Sequence, residues 1–492
     1  MYYYLAVIAT FIGYILYKCY IHPFYLSPLR KIPGPPIENF FLGHYASLLK
    51  NEPAVAFSQL KKQYGGIFRF HSLFNEPHIV VTDPKLVQTI LVNRSYDFLK
   101  NFNRSVIKDF FGNGILLAEG AVHKRQRKMM TPSFSFNNIK EMFPTFVQAG
   151  YKLKDLWMKQ IGDKKEERIT ITNLIPKITL DVIGLVGFNY EFNSTTSNSE
   201  LAQAYNVLFG RNPSPTYLAF VNLFPIIRKF PIPYNNRFYD AVRVTNEISE
   251  KLIAEQKNSP IQGKDILSFL VKANEKLPVN EQLKHDELIG QVMTLLVGGH
   301  DTTSTALSWA LYFIAKTPDI QNRLRKELFD VSTDRNHQPT IDELEQLKYL
   351  DCILKETLRI IPPVVALGRH PAKNEILDGY VIPKGTPLLI PIYAIHHDPL
   401  VWGEDAEDFN PSRWINPEIN SKISTSTFIP FSAGPKNCIG MKIAQLEFKA
   451  ILSTLIRNFE FKVVEGFNFK MKSMGFAKPI PGIDLWVSKI EN

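Results

Sequence analysis

A mainly α-helical body with a smaller β-rich lobe is the fold class this sequence predicts, and three observations predict it. Helical apolar periodicity dominates from residue 85 to residue 356. Alternation of the β type is confined to residues 67–81 and to the stretch beyond Pro362. Behind the N-terminal segment no Gly/Ser-rich linker, low-complexity block or repeat of roughly 20–50 residues divides the chain. Length alone, at roughly 150 residues per domain, suggests about three domains, but the even composition favours one body over residues 32–492. With 45% hydrophobic residues and 35 phenylalanines, that body can bury a large core around an apolar cavity, and disorder is excluded.

The elements follow in order. Residues 2–17 carry no charge, and with Lys18 snorkelling the apolar span extends to Tyr20, close to the roughly 20 residues that cross a bilayer. Basic residues follow this run and no small-residue cleavage pattern comes after it, which favours a membrane anchor over a cleaved signal peptide. Lys18, Arg30 and Lys31 place the body on the cytosolic side. Residues 33–36, Pro-Gly-Pro-Pro, then form a stiff elbow that separates the anchor region, 1–31, from the globule.

Residues 67–81, bracketed by Gly65-Gly66 and Asp83-Pro84, start a small sheet. The helices that follow are interrupted by proline turns over 213–233 and by a polar stretch over 256–263. Residues 286–316 form one long helix of about 45 Å at 1.5 Å per residue. The central Gly298-Gly299-His300-Asp301-Thr302-Thr303 excludes a second membrane span there. Thr340-Ile341-Asp342-Glu343 is a capping box for a helix that runs to Arg359. Short strands and turns, among them 380–386, lead to a helix after Cys438, and residues 459–487 return to strands.

The formal charge of +10 is spread along the chain without a nucleic-acid motif. It suits a solvated surface, with a minority of cations available to dock an acidic redox protein. Three cysteines without paired spacing indicate neither a disulfide framework nor a zinc site, and place the body in a reducing compartment. Cys19 and Cys352 read as small buried hydrophobes. Cys438 alone has a chemical setting.

That setting is Phe431-Ser432-Ala433-Gly434-Pro435-Lys436-Asn437-Cys438-Ile439-Gly440. Gly434 and Gly440 permit a tight turn about the sulfur because glycine tolerates positive φ and close approach. The segment resembles the haem-binding loop of the cytochrome P-450 superfamily, Phe-x-x-Gly-x-Arg-x-Cys-x-Gly, with Lys436 where arginine is usual. The resemblance makes Cys438 the thiolate ligand of the haem iron, a ligation that favours O–O cleavage. Gly298 to Thr303 is similar to the superfamily's oxygen-activation motif, which implies Asp301 and Thr302 as the acid and alcohol of a proton relay, below a glycine pair that leaves room for dioxygen.

Glu356 and Arg359, at i and i+3 on one helix face, are similar to the family's Glu-x-x-Arg. Phe409-Asn410-Pro411-Ser412-Arg413-Trp414 resembles the segment that adds a second arginine, so Glu356, Arg359 and Arg413 are expected to support the haem loop. The propionates need buried cationic or hydrogen-bonding partners. The resemblance supplies His123 and Arg127, one turn apart with His123 in a tryptophan position, together with Arg369 and Lys436. A lysine lacks the arginine fork.

Taken together, the resemblance implies the cytochrome P-450 haem-thiolate fold and a monooxygenase that binds haem b (iron protoporphyrin IX). Some fatty-acid hydroxylases of the superfamily tie haem to a glutamate just before Gly-His-Asp-Thr-Thr. Gly298 stands at that position, so the haem is expected to be noncovalent apart from the Cys438–iron bond. With no Gly-x-Gly-x-x-Gly fingerprint in the chain, NADPH is used indirectly, through a separate NADPH–cytochrome P-450 reductase, with cytochrome b5 as a second donor. The implied location is the endoplasmic reticulum membrane, with the body facing the cytosol. The partners are lipid and an apolar small molecule, and not nucleic acid.

A haem-thiolate isomerase or dehydratase, and a noncatalytic haem sensor or carrier, are the alternatives. The Asp301-Thr302 pair argues against the isomerase or dehydratase. Fatty acids, toward which the motif wording leans, sterols, terpenoids and xenobiotics all remain open as substrates. Stretches 106–111, 295–297, 364–367 and 474–476 are candidate pocket walls or ordinary core.

Overall fold

The computed structural model describes every residue except 1, 51, 102–107, 109, 197–199, 206, 209–216, 218–220, 222–224, 259–262, 473–475, 491 and 492. Part of the predicted turn region 213–233, part of the polar stretch 256–263, and pocket positions 106, 107, 109, 474 and 475 therefore lie outside the described residues.

Helix α1 (Tyr2–Leu16) continues in π geometry over Tyr17–Leu26, so the apolar helix runs past Tyr20 and takes in Pro23. The combined Tyr2–Leu26 stretch is long and apolar enough to cross a membrane. Cys19 is only half-buried on it, not a core residue as expected. The elbow also differs from a free spacer. Leu29 and Ile32 are buried in the β-lobe core, Arg69 N donates to Pro33 O at 2.8 Å, and a Cβ on Gly34 would meet Arg69 O at 2.1 Å. Hydrophobic burial and a backbone hydrogen bond fasten it to the sheet.

The main sheet joins β1 (Ile67–His71), β2 (Pro77–Val81), β3 (Phe98–Lys100), β5 (Leu367–Pro371) and β8 (Leu388–Ile390) in the order β1-β2-β8-β5-β3. The other sheets are β4 (Glu166–Thr170) with β9 (Phe459–Val463) and β12 (Asp484–Lys489), the hairpin of β6 (Glu375–Leu377) with β7 (Tyr380–Ile382), and the hairpin of β10 (Lys470–Lys472) with β11 (Lys478–Ile480). The antiparallel β3–β5 register sets Lys100 opposite Arg369. Two cations far apart in sequence are thereby brought together.

The helices that frame the site are α2 (Gly120–Met130), α3 (Phe136–Ile161), α4 (Ile175–Phe188), α5 (His285–Lys316), α6 (Lys348–Ile360) and α7 (Met441–Asn458). Helix α5 runs 32 residues, with Asp286 and Glu287 in its first turn and Lys316 in its last to complement the helix dipole. It packs along α4, and α7 packs along α3. The α4–α5 contact uses Gly299, where a Cβ would meet Ile183 Cδ1 at 2.5 Å, while a Cβ on Gly298 would meet nothing within 4 Å. The glycine pair is thus not one open gap: Gly299 serves packing and Gly298 alone opens space.

The helix expected to run from Thr340 to Arg359 is two. Its capping box is present on the short helix Ile341–Gln346, but the chain turns at Leu347 and restarts as α6. The carboxylate of Glu327 accepts from Tyr349 N at 2.7 Å and Leu350 N at 2.9 Å, a cap from a distant helix that satisfies a second set of free N–H groups.

Candidate active site

The cysteine loop lies where two cores meet: Ile429 and Ala433 belong to the β-lobe core and Phe431 and Ile439 pack against the helical core. Cys438 N–H donates to Phe431 O at 2.9 Å and closes the turn. Gly434 has φ +68°, and a Cβ there would meet Leu91 O at 2.2 Å; it requires glycine on both counts. Gly440 does not fit the expectation of positive φ, because it sits at φ −87° before α7. Its use is its N–H, which points at the Cys438 sulfur and draws the thiol pKa down. Burial pushes that pKa up, and Arg127 also opposes the rise. Yet Cys438 is exposed. A sulfur that is deep in the fold and still accessible faces internal space.

Arg127 grips the same loop, donating from Nη1 to Asn437 O at 2.6 Å and from Nη2 to Asn437 Oδ1 at 2.8 Å. Around it stand the other predicted cations and some that the motifs did not flag. Arg369, on β5, is 5% exposed; its pKa is lowered to about 10, by burial, with Glu119 opposing. Lys100, on β3, donates to the carbonyls of Ile115 and Leu116 at 2.9 Å and of Ala118 at 3.2 Å. Its pKa falls to about 7, chiefly through burial and then through Lys436, Arg369 and Arg127, against Glu119. His123 hydrogen-bonds Tyr96 Oη through Nδ1 at 3.1 Å, and its pKa is lowered to about 4, by burial first and then by Lys100 and Lys436. It is therefore a neutral hydrogen-bonding ring at neutral pH. Lys436 is not a loose point charge: Nζ bonds the Glu119 carboxylate and donates to Phe98 O at 3.2 Å.

On α5, Thr294, Gly298 and Thr302 are accessible while Leu295, Leu296, Val297, Asp301 and Thr303 are buried. Spacing of four residues puts the accessible three on one face. The Thr302 hydroxyl donates to Gly298 O at 2.7 Å, which leaves its lone pairs for the open side. Asp301 points elsewhere. Its carboxylate receives Tyr205 Oη at 2.7 Å and Lys478 Nζ at 2.6 Å, so the acid and alcohol of the motif diverge, as neighbours about 100° apart on a helix must. Among the candidate pocket walls, Leu295, Leu296, Val297, Phe110, Phe111 and Val365 are buried, whereas Val364, Ala366, Leu367 and Phe476 are partly accessible. An open sulfur, an open glycine on a buried helix, and cations that outnumber the nearby carboxylate fit a flat, dianionic iron porphyrin.

Glu356, Arg359 and Arg413 meet, with side chains 0% exposed. The Glu356 carboxylate receives Arg359 at 2.8 and 2.9 Å, Asn410 N at 2.8 Å, Arg413 Nε at 3.4 Å and Trp414 Nε1 at 2.9 Å. Trp414 stands where the family segment has phenylalanine, and its indole adds a donor that phenylalanine lacks. Arg413 also bonds Asp405 at 2.7 and 2.9 Å. From Arg359 the network reaches the loop: Nη1 donates to His396 O at 2.9 Å, His396 Nε2 accepts from Ile429 N at 2.9 Å, and Ile429 O accepts from Ser432 N at 3.0 Å.

Motif reading missed Lys100, Glu119, Tyr96, Tyr205 and Lys478. Each is brought in by strand register or helix crossing, for which a single charged or phenolic residue in the sequence carries no signal.

Comparison with known proteins agrees with this geometry. The family model described as Cytochrome P450 matches residues 33–487. The chain is 35% identical to cytochrome P450 monooxygenase 128 of Postia placenta, over 89% of this chain and 87% of that protein. It is 31% identical to cytochrome P450 monooxygenase sphH of Aspergillus fumigatus, over 92% and 86%. A third relative, cytochrome P450 monooxygenase FUM15 of Gibberella moniliformis, is 29% identical over 92% and 86%. The chain belongs to the cytochrome P450 family and is a haem-dependent monooxygenase that takes electrons from a redox partner and acts on a small molecule.

Proposed function

We propose that Cys438 is the residue that would ligate the iron of a noncovalent haem b and that the enzyme hydroxylates or otherwise oxidises an apolar molecule of the fatty-acid, sterol, terpenoid or xenobiotic kind. The observation that carries this is the Cys438 sulfur, open on one side in a loop otherwise closed by Phe431, Gly434 and Gly440. Arg127, Arg369 and Lys436, with the His123 ring, would hold the acid groups of the haem, and Gly298 offers no carboxylate for a covalent link. The haem supplies dioxygen activation when bound.

Thr302 is the proton donor of the motif on the open face of α5. Its hydrogen stays on the Gly298 carbonyl until a partner competes for it, and Asp301 stores charge behind it in contact with Lys478, whose side chain is 39% exposed. Glu356, Arg359 and Arg413 keep the loop in place through His396. Electrons come from NADPH through NADPH–cytochrome P-450 reductase, with cytochrome b5 as a second donor. The helix Tyr2–Leu26 anchors the body to the cytosolic face of the endoplasmic reticulum.

The experiment is steady-state turnover with reductase, following NADPH and oxygen consumption against hydroxylated product over a panel of lipids and drugs. Absence of any NADPH- and oxygen-dependent oxygenated product across the panel would favour a haem-thiolate isomerase or dehydratase, or a noncatalytic sensor or carrier. In the same assay Thr302→Ala is expected to bind substrate as before but to divert reductant to hydrogen peroxide, since a positioned proton donor contributes roughly 10²–10⁴-fold. Unchanged product per NADPH would move the relay to Thr303 or His300.

Removal of residues 2–26 is expected to release the protein from carbonate-washed membranes with its haem spectrum intact. Removal through residue 31 is expected to lower the melting temperature as well, because Leu29 leaves the β-lobe core, a loss of about 2–5 kcal/mol for a buried leucine. Equal melting of the two truncations would show that residues 27–31 are a spacer after all.

A further inference from the structure

One side chain in the cation cluster has no place in the reading above. Glu119 precedes α2, with 24% of its side chain exposed. Its Oε1 accepts from Lys100 N at 2.7 Å, and its Oε2 bonds Lys436 Nζ. Among the described residues it is the one carboxylate whose charge acts on Lys100, Arg369, Lys436 and His123 together. Lys436 has its own side chain 1% exposed, so the pair is weakly screened on that side. The register that places Lys100 beside Arg369 and the loop that carries Lys436 thus converge on a negative charge supplied by the chain itself.

We propose that Glu119 is a built-in counter-charge of the haem cradle: a positioning residue that fixes Lys436 and offsets part of the positive field on the haem acid groups, thereby making the iron harder to reduce. The proposal rests on the haem-thiolate reading. A lysine in place of the usual arginine fork accounts for the need. Its single ammonium has no second arm to fix its direction, and a carboxylate on the neighbouring segment supplies the missing constraint. The sign of the field effect follows from Coulomb's law, since reduction adds an electron and a nearby carboxylate opposes it.

The test is an equilibrium reductive titration of the full-length, haem-loaded protein. Glu119→Gln is expected to shift the midpoint potential positive, and Lys436→Met to shift it negative. The double variant is expected to depart from the algebraic sum of these two opposite shifts, as coupled neighbours do. A merely structural glutamate would move melting temperature without moving the potential, so an unchanged or negative shift in Glu119→Gln overturns the proposal. Should Glu119→Gln come out without haem, Glu119→Asp decides: restored loading supports a charge role, and a colourless Glu119→Asp overturns it. The ferrous carbonyl spectrum of the unmodified protein reports the thiolate ligand separately, so failure of the haem-thiolate reading is distinguishable from failure of this one.

Discussion

Cys438→Ser is expected to abolish the strongly red-shifted ferrous carbonyl band and to reduce oxygenated product to background. A serine hydroxyl at this position keeps the turn, because the Cys438 N to Phe431 O bond at 2.9 Å belongs to the backbone. What is lost is the sulfur that, as the thiolate ligand of a bound haem, would favour O–O cleavage. The Gly440 N–H and the Arg127 guanidinium, which favour the thiolate over the thiol, do not make a serine alkoxide accessible at neutral pH. Haem content by extraction and the carbonyl spectrum together check the result. A haem-loaded variant that keeps the red-shifted band would show that another residue ligates the iron.

The second large effect is expected at Glu356. Glu356→Ala leaves Arg359 and Arg413 without their shared carboxylate at a site with 0% side-chain exposure. Breaking a buried pair by removal of one partner costs about 3–5 kcal/mol, mainly because the remaining charge is stranded. Arg413 retains Asp405 at 2.7 and 2.9 Å, so the greater share of the loss falls on Arg359 and, through His396, on Ile429 and the cysteine loop. Denaturant midpoints and the rate of haem loss to an apo-acceptor protein measure it. Normal stability with accelerated haem loss would confine the role of Glu356 to the loop, and normal values of both would remove Glu356 from the support of the site.

Much of the site was legible in short motifs because each meets its need within a few residues of chain. The turn around Cys438 depends on local spacing, and Gly434 is obligatory there at φ +68°. Glu356 and Arg359 share a helix face by periodicity alone, and the long helix over 285–316 announced itself by apolar pattern and end charges. The same local logic overreached at Gly299 and Gly440. Both were read as openings or as positive-φ turns, but one packs on Ile183 and the other lends an N–H to sulfur.

The sequence by itself determined the fold class, the cysteine loop and an apolar N-terminal helix, since these are written in periodicity and in contiguous motifs, whereas the grouping of Arg413 with Glu356 and Arg359 came from the family resemblance. Only the tertiary structure decided the rest. The β3–β5 register brings Lys100 to Arg369, Glu119 reaches Lys436 across a separation of 317 residues, and Tyr205 and Lys478 partner the Asp301 carboxylate. The Glu327 cap divides one predicted helix into two, and burial of Leu29 and Ile32 fastens the elbow to the sheet. The physical reason is common to them. Charge balance, capping by remote side chains and hydrophobic docking depend on distances in space, and these are set by how strands register and helices cross, not by spacing along the chain.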